Sequence, residues 1–137
     1  MIKLTIPGEV VGKMRPRATA RNGFARVYTP KETINYESYV KALFVQKYPG
    51  FVPMDGPIQM NLLIVRGIPT SVSKKKKDMM MFNEIKVTVK PDIDNVIKTI
   101  CDALNGLAYI DDKLIAKLCA EKQYGEIPRA EVEINNY

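Results

Sequence analysis

The order of hydrophobic and polar residues predicts a strand at the start of the chain and a helix after it. Residues Met1–Ile6 alternate in polarity at period two, which is typical of a half-buried strand, and Pro7-Gly8 ends the pattern. Pro30 suits the first position of a helix capped by Thr29, and apolar residues then recur at helical spacing until Pro49-Gly50. We therefore predict a strand, a connecting segment and a first helix.

Shorter apolar patterns predict further elements in the middle of the chain. Val10-Val11 suits a second short strand, and the apolar run Ile58–Val65 suits a core strand. Ser71 is placed to cap a short helix over Lys74–Phe82, although the four consecutive lysines in this segment repel one another. Lys86–Lys90 alternates in polarity and predicts another short strand.

The clearest helical pattern lies in the last third of the chain. Counted from Ile93, apolar residues fall at offsets 0, 4, 7, 8 and 11, one face of a helix that Asn105-Gly106 ends. Leu114–Tyr124 and Ala130–Ile134 predict two antiparallel strands joined by a turn around Gly125–Pro128. Together the elements predict an α/β fold of the α+β type, with helices flanking a mixed β-sheet.

Composition fits one domain over residues 1–137 and excludes several classes of protein. The chain is 46% hydrophobic and 26% charged, as in ordinary globular domains. No apolar run approaches the roughly 18 residues of a membrane span, so we expect no membrane association and a cytoplasmic location. Cys101 and Cys119 lack CxxC spacing, which argues against a disulfide framework or a zinc site and predicts two buried thiols.

The absence of histidine limits the chemistry that this chain can perform. It excludes catalytic triads and metal sites that depend on imidazole, so carboxylates must carry any catalysis. Oxygen ligands alone select hard cations, so Mg²⁺ or Mn²⁺ is favoured over zinc or copper. The net charge of +6 favours a polyanionic partner such as nucleic acid.

Aspartates at the start of the last helix are the candidates for this chemistry. Asp92 and Asp94 lie at the predicted strand-to-helix junction, where two carboxylates can converge on one cation. Asp94, Lys98 and Asp102 follow at spacings of i, i+4 and i+8, which predicts one stripe along the helix. The same spacings also suit a helix cap and surface ion pairs, so a structural role is the alternative.

A further acidic pair, Asp111-Asp112, follows the helix after a short return that can bring all these carboxylates together. Clustered carboxylates repel one another unless a cation neutralises them. A divalent cation would polarise a phosphodiester and lower the pKa of an attacking water. Lys98 would add positive charge where the transition state develops negative charge. A simple turn at Asp111-Asp112 is the alternative.

Residues 90–112 contain a specific motif. Its pattern is D-x-D-N-x-x-K-x-x-x-D-A-L, followed by a glycine, an aromatic residue and D-D. This pattern closely resembles the signature of RusA-like crossover junction endodeoxyribonucleases, and the chain length and element order also fit that family. The sequence Lys-Met-Arg-Pro-Arg at 13–17 is similar to the branch carried by phages and prophages.

The resemblance implies a homodimeric, Mg²⁺-dependent endonuclease of mixed α/β fold that resolves four-way (Holliday) DNA junctions in recombination and repair. Its catalytic residues would map onto Asp92, Asp94, Lys98 and Asp112. The metal ligands would be Asp92 and Asp94 with the Asp111-Asp112 pair, in which the main ligand stays open. Asn95 and Asp102 would have supporting roles.

Two basic segments are candidates for contact with the phosphates of such a junction. The first lies between Gly12 and Thr29, in a composition that suits a mobile loop or ribbon, and the second begins the short helix. A solvated basic surface is the alternative for both. The candidates are Lys13, Arg15, Arg17, Arg21 and Arg26 in the first segment and Lys74, Lys75, Lys76 and Lys77 in the second.

The two-fold symmetry of a four-way junction matches a two-fold dimer with two identical sites. The apolar run Met79–Phe82 is a candidate for the dimer interface, with a core role as the alternative.

Two competing functions are a junction-binding protein without catalysis and a basic RNA-binding or regulatory domain. Four clustered acids in a basic DNA-binding protein oppose phosphate binding unless a metal bridges the two, so they favour the enzyme.

Overall fold

The computed structural model describes residues 1–14, 17–21, 23–28 and 30–137, which form six strands and three helices. A single 3₁₀ turn over Asp112–Leu114 precedes the fifth strand. The strands are β1 (Ile2–Pro7), β2 (Arg17–Arg21), β3 (Phe24–Tyr28), β4 (Ile58–Gly67), β5 (Ile115–Gly125) and β6 (Arg129–Asn136). The helices are α1 (Lys31–Lys47), α2 (Lys74–Met81) and α3 (Ile93–Leu104).

The main sheet is mixed and has the strand order β1-β6-β4-β5. Strand β6 is antiparallel to both β1 and β4, whereas β4 and β5 are parallel. A parallel pair needs a long crossover connection, and the segment that contains α2 and α3 provides it. The predicted α+β fold is confirmed: a single mixed domain in which helices pack on a mixed sheet.

The two predicted antiparallel strands and the turn that joins them are confirmed, but the strands are not neighbours in the sheet. Strands β5 and β6 run in opposite directions as expected, but β4 lies between them and pairs with both. A sequence in which two strands follow one another suggests a hairpin, yet the apolar strand β4 needs two neighbours to be buried in the centre of the sheet. The turn between β5 and β6 therefore spans the width of one intervening strand.

One face of the sheet packs against α1 and α3. The side chains of β1 alternate strictly between buried and exposed, and Ile2, Leu4 and Ile6 point to the helices. Helix α3 contributes Val96 and Ile100 to the same core, both fully buried. This packing fixes the face of α3 that points inward, so its polar stripe must lie at the edge of the core.

The residues that cap α1 and α2 differ by one or two positions from the sequence prediction. Helix α1 begins at Lys31 with Pro30 as the N-cap residue, while the predicted cap, Thr29, lies outside the described residues. Helix α2 is capped by Ser73 and not by Ser71, because the Ser73 hydroxyl accepts a hydrogen bond from the Lys76 backbone N–H at 3.2 Å. The predicted helices themselves are confirmed.

Two short predicted strands are absent. Val10-Val11 and Lys86–Lys90 both fall in irregular backbone in the described structure. In the second segment Val87 is buried, whereas Lys86 and residues 88–90 are exposed. A single buried valine therefore accounts for the pattern, and no strand is needed to explain it. Val10 likewise enters the core from a loop. Alternation over so few residues does not require a ladder.

The basic segment after Gly12 forms a two-stranded ribbon, which agrees with the prediction of a loop or ribbon. Strands β2 and β3 pair antiparallel from Arg17 opposite Tyr28 to Arg21 opposite Phe24. Gly23 has a φ of +79° in the turn, a conformation that glycine adopts without strain. Among the described residues, no helix is both long and apolar enough to cross a membrane.

Candidate active site

The first turn of α3 presents two carboxylates that form no side-chain hydrogen bond or ion pair with the residues that the structure describes. Asp92 is the N-cap residue, and its backbone carbonyl accepts the first helical hydrogen bond, from Val96 N–H at 3.2 Å. Its side chain makes no capping hydrogen bond within the described part of the chain, so the carboxylate remains available. Asp94 follows in the first turn, and both aspartates are exposed. The positive end of the helix dipole stabilises negative charge here.

These two aspartates line an open groove of about 1010 Å³. Three cationic side chains, those of Lys13, Lys90 and Arg66, line it as well, together with a third acidic one, that of Glu32. Acidic and basic groups in one groove suit a phosphate substrate, because cations attract the backbone while carboxylates hold a bridging cation. The groove therefore has the composition expected of a phosphodiesterase site.

Two contacts hold the segment that carries Asp92. Lys122 on β5 donates hydrogen bonds from Nζ to the carbonyl oxygens of Val89 at 2.8 Å and Pro91 at 2.9 Å. On the other side, a Cβ atom added at Gly12 would lie only 3.1 Å from the Cβ atoms of Pro91 and Asn95. Glycine permits this approach. The start of α3 is thus clamped between β5 and the loop after β1.

Lys122 and Gly12 are not among the site residues predicted from the sequence. Both lie far from Asp92 along the chain, and no local spacing connects them to it. A lysine within a strand is usually an exposed residue, whereas Lys122 is half-buried and bonded to backbone. A signal that could have found Gly12 is its place between Val10-Val11 and the basic segment that begins at Lys13.

The predicted stripe along α3 is confirmed at Lys98 and Asp102. Lys98 Nζ lies 3.6 Å from Asp102 Oδ2. Lys13 approaches the same oxygen at 3.3 Å and also contacts Glu37 Oε1 on α1 at 2.7 Å. Burial acts to lower the pKa of Lys13, but hydrogen bonds and charge from Glu37 and Asp102 outweigh it, so this pKa is raised above 10.5.

Asp111 and Asp112 differ in their surroundings although they are adjacent. The Asp111 carboxylate caps the 3₁₀ turn by accepting a hydrogen bond from Lys113 N–H at 3.0 Å, and this bond lowers its pKa. The pKa of Asp112 is raised by desolvation, by its hydrogen bond with Asp111 and by the charges of Asp111 and Asp102. Asp112 is thus the member of the pair whose negative charge is less well compensated, although Lys98 partly offsets it.

The acidic residues form two groups along α3. One group is Asp92 with Asp94 at the N-terminal end, and the other is Asp102 with Asp112 beside Lys98. Within the described ranges, no three histidine, cysteine or acidic residues lie close enough together to hold one metal ion. The expected convergence of all the carboxylates on one point is therefore not seen in the single chain. The donor set itself, carboxylate oxygens only, fits a hard cation.

The predicted DNA-contact residues have different outcomes. Lys13 is not a free cation, because its ammonium is paired with Glu37 and Asp102. Lys74–Lys77 are all exposed at the start of α2, and Lys77 lies 3.7 Å from Glu126. Arg15 lies outside the described residues. The backbone of Arg17, Arg21 and Arg26 forms part of the ribbon, and their side chains lie outside the described part of the structure.

The apolar run Met79–Phe82 divides between core and surface. Met80 is buried, whereas Phe82 is 78% exposed and Met81 is also exposed. A core role for the whole run is therefore excluded. Phe82 and Met81 present apolar surface next to the lysines of α2.

Comparison with known proteins agrees with the motif on α3. The chain matches the family described as endodeoxyribonuclease RusA over residues 7–135, which include every element except β1, of which only Pro7 is matched, and the last residue of β6. It is 39% identical over 135 residues to "Uncharacterized protein YqaN" of Bacillus subtilis (strain 168), a match that covers 97% of this chain and 94% of that protein. The chain belongs to the RusA endodeoxyribonuclease family.

Proposed function

We propose that this protein is an endodeoxyribonuclease that resolves four-way DNA junctions by metal-dependent phosphodiester hydrolysis, in recombination and repair. The observation that supports the proposal is the pair of carboxylates, Asp92 and Asp94, which have no partner among the described residues and lie in a groove that Lys90 and Arg66 also line. The groove lies within a chain of the RusA endodeoxyribonuclease family. A DNA substrate implies action in the cytoplasm.

A divalent cation is part of this proposal, with Mg²⁺ favoured and Mn²⁺ as a substitute. The proposed ligands are Asp92, Asp94 and Asp112, with Asp111 as the alternative to Asp112. Because Asp92 and Asp94 lie apart from Asp112 in the described residues, holding one ion would require these two groups to move together. Asp112 is favoured, because the Asp111 carboxylate is already engaged with Lys113 N–H. Once bound, such a cation supplies Lewis-acid polarisation of the phosphodiester and an acidified water.

The other residues of the site bind and orient the DNA. Lys98, whose side chain is 64% exposed, can face the phosphate that is cleaved and stabilise charge that develops on it. Asn95 and Asp102 have supporting roles. The backbone carbonyl of Asn95 accepts a hydrogen bond from the backbone N–H of Lys13 at 2.8 Å, and the Asp102 carboxylate lies between Lys13 and Lys98. These contacts position α3, the helix that carries the acidic residues.

The DNA arms would extend from the groove over the basic surfaces. The exposed lysines Lys74–Lys77 and the arginines at positions 15, 17, 21 and 26 are proposed to contact phosphates. A homodimer would present two such sites to the two strands that must be cut. Phe82 and Met81 are proposed to lie at the dimer interface, because both are exposed apolar residues.

A second candidate is a junction-binding protein without catalysis. It is favoured by one observation: among the residues that the structure describes, no three potential ligands gather around one point. Binding would then depend on the basic surfaces alone and would need no metal.

Cleavage of a labelled four-way junction beside a linear duplex of matching sequence tests both candidates. The wild type and the variants Asp92→Asn, Asp111→Asn and Asp112→Asn are compared with and without Mg²⁺, and Asp78→Asn on α2 serves as a control at an exposed aspartate. We expect paired symmetric nicks in the junction only, and we expect them to require Mg²⁺, Asp92 and Asp112. Asp78→Asn should leave cleavage unchanged, and Asp111→Asn should reduce it only in part. Tight junction binding without cleavage would favour the second candidate.

A further inference from the structure

Two lysines share one carboxylate oxygen beside the proposed site. Lys13 Nζ lies 3.3 Å from Asp102 Oδ2, and Lys98 Nζ lies 3.6 Å from the same atom. Lys13 is additionally anchored by Glu37 Oε1 at 2.7 Å. These contacts join three parts of the fold: the loop after β1, helix α1 and helix α3.

The two lysines differ in burial. The side chains of Lys13, Glu37 and Asp102 are 23%, 18% and 26% exposed, whereas that of Lys98 is 64% exposed. Partial exclusion of water strengthens ion pairs, so Lys13 is the better-held partner of Asp102. Lys98 is in a weaker, solvent-exposed pair from which it can turn towards a phosphate.

The backbone around Lys13 is fixed without the help of its side chain. Lys13 N–H donates to Asn95 O at 2.8 Å, and Met14 N–H donates to the Thr33 hydroxyl at 3.2 Å. Gly12 packs closely against the start of α3. The ammonium group of Lys13 can therefore be removed while the loop keeps its attachment to α1 and α3.

We propose that Lys13 is a positioning residue and not a phosphate contact: its ammonium neutralises Asp102 and thereby leaves Lys98 free to face the DNA. This inference rests on the proposed nuclease function. If Lys13 is removed, Lys98 becomes the remaining cation paired with Asp102 among the residues that the structure describes. Asp102 then holds Lys98 back from the phosphate.

The first experiment compares Lys13→Met and Lys13→Arg with Lys41→Met, a control at an exposed lysine of α1. Junction affinity is measured in EDTA over a series of salt concentrations, and cleavage is measured at saturating enzyme. We expect Lys13→Met to slow the maximal cleavage rate about tenfold, with unchanged affinity and salt dependence, and Lys13→Arg to restore most of the rate. A phosphate contact would instead weaken affinity and lower the salt slope by about one, which would overturn the proposal.

The second experiment tests whether Lys13 acts through Asp102. In an Asp102→Asn background, Lys13→Met is expected to cause no additional loss of rate, because the carboxylate that holds Lys98 is gone. An equal tenfold loss in both backgrounds would contradict this route. Thermal unfolding of each variant identifies any loss of rate that comes from unfolding.

A readout that needs no cleavage separates this inference from the proposed function. The rate at which a soluble acetylating reagent modifies Lys98 is measured by mass spectrometry of the full-length protein. We expect Lys13→Met to slow modification of Lys98, Lys41→Met to leave it unchanged, and Asp102→Asn to reverse the slowing. If Lys98 reacts equally fast in Lys13→Met and in the wild type, the inference is overturned even if the wild type cuts junctions. If the wild type does not cut junctions, the proposed function alone is overturned.

Discussion

The two cysteines show how place in the fold decides the chemistry of a single residue. Both were predicted to be buried, but Cys119 on β5 is exposed and that prediction is wrong for it. Cys101 on α3 is 8% exposed and donates to Met60 Sδ at 3.9 Å. Cys101 belongs to the apolar face of its helix, whereas Cys119 points to the other side of a strand at the sheet edge.

Burial raises the pKa of Cys101 from 9.0 to about 11. Because thiolate is the reactive form, we expect Ellman's reagent at pH 8 to modify one thiol rapidly and the second only after unfolding. The same shift makes the folded state bind its proton more tightly than the unfolded state does. The stabilising contribution is therefore complete below about pH 9 and is lost as the pH rises through about 11.

A Cys119→Ser variant is the control for the thiol experiment. It should lose the fast phase and keep the slow one, since only the buried thiol remains. Two thiols that react rapidly in the folded wild type would show that the packing of α3 in the core does not shield Cys101. Thermal unfolding between pH 8 and pH 11 checks the expected alkaline loss of stability.

At the scale of elements, the start of α3 depends on close packing by the loop after β1. A methyl group added at Gly12 would lie 3.1 Å from two Cβ atoms, so Gly12→Ala must push the loop away from Pro91 and Asn95. We expect a loss of about 1 kcal/mol in the free energy of unfolding, measured in urea, together with slower cleavage.

Gly56 offers a matched control for this substitution. A Cβ atom at Gly56 meets nothing within 4 Å, and the residue has no positive φ. Gly56→Ala is therefore expected to leave stability unchanged or slightly increased. Equal effects of the two alanine substitutions would mean that the contact at Gly12 does not hold α3 in place.

Local sequence patterns predicted which segments form helices and strands better than they predicted which of these elements contact one another. The apolar spacing of α3 and the i, i+4 relation of Lys98 to Asp102 are properties of one helix, and both are confirmed. The pairing of β4 with β5 and the contact of Lys13 with Glu37 join residues far apart along the chain. Such contacts depend on how the whole chain folds, which a single sequence does not encode in any local period.

At the scale of the whole molecule, the proposed homodimer provides two cuts for a substrate with two-fold symmetry. Phe82 is 78% exposed at the end of α2, a position where a large apolar residue gains free energy only by contact with another surface. We expect the wild type to have the mass of a dimer in light scattering and Phe82→Ser to shift it towards the monomer. The monomeric variant should then make single nicks in place of paired ones.

Val52→Ser is the control for the dimer experiment, because Val52 is 80% exposed in a loop far along the chain from α2. It should change neither the mass nor the pairing of the nicks. If Phe82→Ser stays dimeric while its junction affinity falls, this surface binds DNA and not a second copy, which would agree with the exposed lysines beside it on α2. A wild type that is monomeric at assay concentrations yet makes paired nicks would mean that two-fold cutting does not need a stable dimer.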